Sequence, residues 1–432
     1  MNALLAPARL DAAIRGVLYI LLFWIPYSSA VIETCVILGL LLFIMKRGMA
    51  PAHGTAGGRW NFFYDLCTAF KPPKTPLNKA IFLFLLLAFI SASLSPYGNQ
   101  SISAFFRKIL EWFLIFYLVI EVFTGKKHFQ VALAILLITT GAVVADSFMQ
   151  VYGTGRDIFF GKEIAGGGAT ASFNHANGLA AYLALLIPLA TAFVLKKGGG
   201  RLRKTFLCVF IIFMMWSLMM TLSRAAFLSV LVGFIFLLFF LRRKILYFFL
   251  LGIFLFCVII YFSFPADSGY RAKMKMANIQ NTIDWRLGVW EDTWKMIEQK
   301  PWLGYGLNTY MKDFQHYRRK SGTMYHAPTY AHNCYLQMAT EVGLFGWLAF
   351  MSIWGITGAR IYANFRKQPK DEYFSVIFWG LAAGIITFLT HSLVDINFYS
   401  LQLSTIFWFI MGLFISADRS LNGSPIYDIK TS

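Results

Sequence analysis

Long apolar runs recur along nearly the whole of this sequence. A helix needs roughly 17 to 25 apolar residues to cross about 30 Å of hydrocarbon, and counting such runs predicts about twelve crossings. Hydrophobic residues make up 58% of the 432 positions and charged residues only 14%, which lies outside the range of soluble globular domains. The chain is therefore expected to be an all-α polytopic membrane protein.

Turn residues separate the predicted spans. The first apolar run, Ile14 to Met45, is too long for one crossing, and Pro26 to Ser29 divide it into two helices. Stretches rich in Gly and Asn supply the backbone conformations that later connections need. The remaining predicted spans are Ala80–Leu94, Phe105–Phe123, Val131–Val151, Leu179–Leu195, Phe206–Leu222, Ala225–Leu241, Ile245–Phe262, Val342–Ile361, Val376–Val394 and Leu401–Ile415.

Lys and Arg residues cluster in short segments on one predicted side of the membrane. Clusters at 126–127, 196–204 and 242–244 alternate with connections that lack them, and such an excess of basic residues marks cytoplasmic loops. This pattern accounts for the net charge of +19 without a nucleic-acid partner, which would require a continuous basic face with stacking aromatics. We therefore expect both termini in the cytoplasm and membrane lipids around the protein.

One long polar segment interrupts the apolar pattern. Residues 264–341 combine Arg, His, Asn and Trp, and they lie between the ninth and tenth predicted spans on the outward face. The expected organisation is spans 1 to 9 within residues 1–263, a partly helical periplasmic loop at 264–341, spans 10 to 12 within 342–417 and a cytoplasmic tail at 418–432. We expect the active-site residues to lie in this loop and at the helix ends beside it.

Several cations lie on the outward face, against the orientation bias. Arg107 and Lys108 begin one predicted span, and Arg224 occupies a tight turn in the sequence TLSRAA. An unpaired guanidinium at membrane depth costs about 3 kcal/mol, so Arg224 needs a partner. That partner is either an internal carboxylate, from Asp146 or Asp395, or a bound anion.

Arg286 is a second candidate for anion binding. Asp284 is a favourable N-cap residue, and an apolar stripe at helical spacing follows it. A helix that begins there places Arg286 in its first turn, where the free amides and the helix dipole also favour an anion. The alternative is a solvated surface arginine. The stripe consists of Leu287, Trp290, Trp294 and Ile297.

His332 and Asn333 come just before the tenth predicted span. If Thr329 caps that helix, His332 lies in its first turn, where the positive end of the dipole keeps the imidazole neutral and available as a base. His391 and Asp395 lie at the outward end of the eleventh span. They either orient this site or only form bonds between helices.

Guanidinium groups beside one histidine suit the chemistry of a diphosphate. Each charge-assisted arginine–phosphate contact is worth roughly 1.5 to 3 kcal/mol and can replace a divalent metal ion. The five cysteines are scattered, without the Cys and His spacing of a metal site. We therefore expect a lipid-linked sugar diphosphate as substrate and neither a metal ion nor another cofactor.

Five motifs follow one another in an informative order. They are FNHANGLA (Phe173 to Ala180), TLSRAA (Thr221 to Ala226), the segment Arg286 to Trp290, GYGLNTY (Gly304 to Tyr310) and AHNCYLQMATEVGLFG (Ala331 to Gly346). With these motifs the chain resembles the O-antigen ligase and O-antigen polymerase family of bacterial membrane glycosyltransferases, and it is most similar to the ligases. The resemblance implies a fold of the GT-C type in the bacterial inner membrane and a periplasmic active site. It also implies metal-independent transfer of a glycan, with inversion, from undecaprenyl diphosphate to an acceptor hydroxyl.

The resemblance also assigns roles to individual residues. It implies that Arg224 and Arg286 bind the diphosphate and that His332 deprotonates or orients the acceptor. Tyr330 stands where family members often have a second histidine, which disfavours a two-histidine mechanism. The substrate-binding residues expected beside these, from the motifs or from charge and position, are Asn177, Asn333, Arg107, Lys108, His391 and Asp395.

The acceptor distinguishes the members of this family. The net basic character of the 264–341 loop favours the phosphorylated lipid A-core acceptor of an O-antigen ligase. The first alternative is an O-antigen or exopolysaccharide polymerase, which joins one repeat unit to another. The second is a transporter of lipid-linked glycans, which would need charged sites near the middle of the membrane.

Overall fold

A computed structural model describes residues 7–48, 72–164, 168–196, 198, 200–251, 255, 276–318, 329–367 and 371–423. Regular structure in these residues is helical, apart from one isolated bridge between Arg156 and Glu163. The helices are α1 (Pro7–Trp24), α2 (Ser29–Gly48), α3 (Asn78–Ser93), α4 (Gly98–Ala104), α5 (Leu110–Val122), α6 (Lys126–Phe148), α7 (Ala176–Leu195), α8 (Arg201–Met220), α9 (Arg224–Leu241), α10 (Met276–Gln299), α11 (Tyr310–Tyr317), α12 (Cys334–Phe365), α13 (Glu372–His391) and α14 (Leu401–Asn422). Two π-helical segments, Phe105–Ile109 and Met149–Gly153, adjoin α5 and α6, and a 3₁₀ turn, Asn397–Tyr399, precedes α14.

In the described part of the chain, 8 helices are long and apolar enough to cross a membrane. The chain is thus a polytopic membrane protein, as its hydropathy predicts. The expected break at Pro26 to Ser29 separates α1 from α2, and α3 and α5 lie at two further predicted spans. The ninth predicted span, Ile245–Phe262, lies mostly outside the described residues. Residues 243–251, which are described, are helical. The helices that meet this criterion of length and apolar composition are α2, α6 with its π-helical end, α7, α8, α9, α12, α13 and α14.

Helix α12 departs most from its predicted span. It begins at Cys334 and not at Val342. Hydropathy missed the first turns because they contain Gln337, Thr340 and Glu341, but these polar side chains are buried within the protein and do not face lipid. The end of the polar segment is therefore part of a membrane-associated helix.

A break in α12 at Gly343 holds the loop that carries the GYGLNTY motif. Gly343 has φ +70°, and a Cβ there would lie 2.2 Å from the carbonyl oxygen of Trp302. Only a residue without a side chain therefore lets the loop lie this close to the backbone of α12. Loop amides then bond carbonyls of α12: Tyr305 N donates to Thr340 O (3.0 Å) and Gly306 N donates to Glu341 O (2.9 Å). Backbone groups exposed by the break are thus satisfied by the loop.

Helix α13 packs tightly between α7 and α9. A Cβ on Gly384 of α13 would lie 2.4 Å from the carbonyl oxygen of Leu185 in α7. A Cβ on Gly233 of α9 would lie 2.0 Å from Thr387 Oγ1 in α13. These helices therefore touch through glycines, as closely packed transmembrane helices often do.

The contacts along α13 show that both neighbours run antiparallel to it. Toward its start, the Trp379 ring stacks on Phe240, near the end of α9, with ring centres 4.4 Å apart. Thr387, two turns later, meets Gly233, nearer the start of α9. The end of α13 therefore lies beside the starts of α7 and α9. We call this region the site end (residues 168–176, 221–224 and 391–397).

Basic residues collect at the opposite end of the bundle. Arg242 Nη2 donates to Leu195 O at the end of α7 (2.6 Å), and Lys126 at the start of α6 pairs with Asp371, which caps α13 (2.7 Å). We call this region the basic end (Lys126, Lys196, Arg203 and Arg242). The sequence predicted such a segregation of basic clusters from the outward-facing residues.

We expect Gly384→Ala to lower the stability of the protein. Its Cβ would meet backbone, which cannot rotate away, and overpacking of this kind costs about 1 to 3 kcal/mol. Thermal unfolding in detergent, followed by tryptophan fluorescence, measures the change. The matched control is Gly358→Ala in α12, where a Cβ meets nothing within 4 Å. The control should be neutral or slightly stabilising, and an unchanged melting temperature for Gly384→Ala would contradict the close packing.

Candidate active site

His332 lies directly before α12 in a strained backbone conformation. Its φ is +46°, in the left-handed region that side chains rarely adopt, and residues held there against strain cluster at functional sites. The helix N-cap is Asn333, whose Oδ1 accepts hydrogen bonds from the amides of Tyr335 (2.9 Å) and Leu336 (3.1 Å). The predictions that Thr329 caps this helix and that His332 lies in its first turn were therefore wrong.

Arg286 lies in the interior of α10. This helix begins at Met276 and not at Asp284, so the predicted first-turn position of Arg286, and the dipole argument based on it, were wrong. The predicted apolar stripe was only partly correct. Leu287 and Trp294 are exposed, whereas Ile297 is buried, together with Val289 and Met296, which the prediction did not include.

Packing of α10 against the segment before α12 brings Arg286 toward His332. Trp290 Nε1 donates a hydrogen bond to the carbonyl oxygen of Ala331 (2.9 Å). The ring of Trp285 meets the imidazole of His332 edge to face, with the ring centres 5.0 Å apart. Two tryptophans of α10 thus contact His332 and its neighbour Ala331, although the sequence did not single out Trp285.

The turn after α13 supplies the other side of the site. The amide of Cys334 donates to the carbonyl oxygens of Ser392 (2.9 Å) and Asp395 (3.2 Å), which joins the start of α12 to this turn. The side-chain amide of Asn397 lies 3.0 Å from Nδ1 of His391. Both His391 and Asp395 are buried.

Four buried polar atoms at this point have no hydrogen-bond partner among the described residues. They belong to Arg286 (Nε), His332 (Nδ1), His391 (Nε2) and Asp395 (Oδ2). Unpartnered buried polar atoms are uncommon in folded proteins, and four of them from three separate elements indicate a site for ligand atoms or water. We call these residues the polar cluster.

The charges of the polar cluster act on His332. Burial lowers the pKa of this histidine, the nearby Arg286 guanidinium lowers it further, and the Asp395 carboxylate opposes both by raising it. Burial dominates, so the imidazole is neutral at neutral pH. The sequence also predicted a neutral imidazole here, but the cause is burial and not a helix dipole. The role of His332 as a base stays a prediction.

Arg224 also lies at the site end. It is the first residue of α9, it is exposed, and within the described structure it makes no hydrogen bond or ion pair. Neither internal carboxylate suggested by the sequence neutralises it. Asp146 Oδ1 accepts from the amide of Ile158 (2.7 Å), and Asp395 belongs to the polar cluster. The guanidinium of Arg224 is therefore available to an external anion.

The other expected binding residues are placed differently. Arg107 is exposed and pairs with Glu33 (3.2 Å). Lys108 is half-buried, and its Nζ donates to Oδ1 of Asn308 in the GYGLNTY loop (2.9 Å). Asn177 is the second residue of α7 and is half-buried at the site end. No contact joins these three side chains to the polar cluster in the described residues.

A second polar network, centred on Glu341, supports the site. Its buried carboxylate accepts hydrogen bonds from the amide of Asn308 (2.9 Å), the hydroxyl of Tyr399 (3.2 Å) and Nε2 of Gln337 (3.4 Å). Oε1 of Gln337 accepts from the amide of Ala331, next to His332 (3.4 Å). Glu341 was not among the predicted site residues, although a carboxylate directly beside a predicted apolar span is itself a signal.

This arrangement defines a polytopic membrane protein whose buried polar cluster lies at one end of a helical bundle. Residues 207–351 match the family model described as O-Antigen ligase. The chain thus carries the domain of the O-antigen ligase family, which ligases and polymerases share, as the motifs predicted. The match includes Arg224, Arg286 and His332 and ends before His391. A comparison with curated proteins gives no significant match.

We expect activity to fall in the acid range, at a pH below the usual pKa of a histidine, as His332 takes up a proton. Its pKa lies below 6.5, so the acid limb of a pH–rate profile should lie below that value. Asp395→Asn removes the carboxylate that raises the pKa, and the limb should therefore move to still lower pH. The pH–rate profile of His391→Gln shows whether protonation of His391 contributes to the acid limb, because this variant leaves only His332 of the two histidines to titrate. An acid limb above pH 6.5, or a shift to higher pH in Asp395→Asn, would contradict this assignment.

Proposed function

We propose that this protein is an O-antigen ligase, an inverting and metal-independent glycosyltransferase. It transfers a glycan from undecaprenyl diphosphate to a sugar hydroxyl of lipid A-core at the periplasmic face of the bacterial inner membrane. The polar cluster carries the proposal, because it combines a guanidinium, a neutral imidazole and a carboxylate with unused hydrogen-bonding atoms. The proposed frame is a fold of the GT-C type with about twelve spans and both termini in the cytoplasm.

The arginines would hold the diphosphate of the donor. Arg224 makes no ion pair in the described structure, and Arg286 keeps a buried Nε without a partner. Guanidinium groups bind phosphate oxygens through charge-assisted bonds, and they stabilise the negative charge that builds up on the leaving group. A divalent cation is then not needed for this task.

His332 would act as the general base. The acceptor hydroxyl oxygen attacks the anomeric carbon, and its proton passes to the neutral imidazole. The bond between that carbon and the diphosphate oxygen breaks, and undecaprenyl diphosphate leaves with the electron pair. Attack from the face opposite the leaving group inverts the anomeric configuration. Asp395 would stabilise the imidazolium that forms.

The nature of the acceptor is the finer part of the proposal. The net basic segment 264–341 suits the phosphorylated lipid A-core of a ligase. A polymerase is the second candidate, because the matched domain is shared by both kinds of enzyme. A transporter is disfavoured, since the polar cluster lies at one end of the bundle and not near its middle.

We expect Arg286→Ala and His332→Ala to lower the rate of glycan transfer by about 100-fold or more, because each removes a group that acts on the transition state. The measurement is transfer from a lipid-linked donor by purified protein in detergent. The matched controls are Arg156→Ala, which removes an exposed arginine paired with Glu163, and His316→Ala, which removes an exposed histidine of α11. Both controls should retain activity. A normal rate in either cluster variant, with the protein folded, would remove that residue from the mechanism.

Deletion of the gene distinguishes the two acceptors. We expect the deletion strain to lose all O-antigen bands on a lipopolysaccharide gel while long polymer accumulates on the lipid carrier. Expression of the wild-type chain should restore the bands, and the His332→Ala variant should not. Core capped by a single repeat unit would instead identify a polymerase and overturn the ligase assignment.

A further inference from the structure

A cavity of about 380 Å³ lies at the basic end, opposite the candidate active site. Helices α6, α7 and α8 line it, mainly with apolar side chains such as Leu133, Leu137, Leu189 and Phe206. Its volume is within the range of pockets that bind small molecules. The proposed glycan transfer uses no residue of this cavity.

The cavity lies between α6, α7 and α8, on the basic-end side of the contacts that join α6 to α8. Toward the site end these helices are joined by a hydrogen bond between the hydroxyls of Ser147 and Ser217 (2.7 Å). Further along, a Cβ on Gly141 would lie 3.7 Å from the ring of Phe210. The lining of the cavity extends from Thr140 and Met214 to Gln130 and Arg203, which lie toward the basic end. The result is an apolar slot that is closed toward the site end.

Cationic and polar groups lie around the slot at the basic end. Arg203 and Tyr373 line it, and Nζ of Lys196 lies 5.8 Å from the centre of the Tyr373 ring. The Tyr373 hydroxyl is buried and has no hydrogen-bond partner among the described residues.

The cations beside Tyr373 differ in whether a carboxylate neutralises them. Lys126, whose Nζ is 6.0 Å from the same ring centre, is paired with Asp371 (2.7 Å). In the part of the chain that the structure describes, Lys196 and Arg203 have no such ion pair. Two unneutralised cations and one unused hydroxyl therefore lie beside an apolar slot, which is the chemistry that recognises a phosphate attached to a hydrocarbon chain.

We propose that this cavity binds an anionic phospholipid of the surrounding membrane. One acyl chain occupies the slot between α6 and α8, and the phosphate lies among Lys196, Arg203 and the Tyr373 hydroxyl, which donates a hydrogen bond to it. Basic pockets between transmembrane helices recognise lipid phosphates in this way. This site is independent of the proposed glycan transfer, since it lies at the other end of the bundle.

Native mass spectrometry of the purified full chain tests the proposal. The protein is incubated with phosphatidylglycerol or phosphatidylcholine of identical acyl chains, and the retained lipid is counted. We expect the wild-type protein to retain phosphatidylglycerol preferentially. Arg203→Gln should bind it about fivefold more weakly, which is the effect of losing one basic side chain near the membrane surface. Ala134→Trp should not bind it, because the tryptophan fills the slot. Ala134 lines the cavity.

Two matched controls separate the site from general membrane attraction. Arg201→Gln removes an exposed cation of the same helix turn that does not line the cavity. Ile138→Trp places a tryptophan on α6 at a position that is 62% exposed and outside the lining. Both should bind like wild type. Three outcomes would overturn the proposal. They are equal retention of the two lipids, an equal loss of lipid binding in the test and control variants, and displacement of the bound lipid by inorganic phosphate alone. Preferential displacement by a polyprenyl phosphate would also overturn it and assign the slot to a carrier lipid. If Ala134→Trp does not fold, Arg203→Gln decides the outcome.

Discussion

The close approach of α13 to α7 and α9 is the interaction on which the arrangement of this protein depends. Lipid tails are as apolar as the helix surfaces, so helices in a bilayer associate through tight packing more than through the hydrophobic effect. At Gly384 and Gly233 no side chain keeps the helices apart. Because both pairs are antiparallel, the end of α13 meets the starts of α7 and α9. This shared end is where Arg224, His391 and Asp395 lie, and the bonds of Cys334 add His332 to them.

Two polar networks at this end differ in a way that bears on function. Glu341 is buried, yet three donors satisfy its carboxylate, and one of them, the amide of Asn308, ties the GYGLNTY loop to α12. The polar cluster is also buried, but four of its atoms lack partners among the described residues, and an unsatisfied buried group costs about 1 to 3 kcal/mol. His332 adds a strained backbone conformation. The first network therefore supports the structure, whereas the second has the unused hydrogen-bonding capacity on which the proposed substrate site depends.

The residues of the polar cluster could be predicted from the sequence better than their positions in the helices could. Arg286, His332, His391 and Asp395 were all singled out, because charged and titratable groups near a membrane are costly and therefore conspicuous. Their local settings were misjudged where a single residue was used as a signal. Thr329 and Asp284 resemble N-caps, but α10 begins at Met276, and α12 is capped by Asn333, whose position is fixed by the bonds of Cys334 to the turn after α13. The interactions of Trp285 and Glu341 link segments far apart in the chain, so no local pattern could reveal them.

The sequence by itself determined that the chain spans a membrane, where most of its helices lie and which few polar residues need an explanation. Those conclusions follow from transfer free energies, which depend on composition and spacing along the chain. Only the tertiary structure decided that three separate elements place a guanidinium, two imidazoles and a carboxylate together, that Arg107 pairs with Glu33 and that an apolar slot lies beside Tyr373. The reason is physical: partners and cavities arise from how helices pack, and packing depends on contacts between residues that are distant in the sequence.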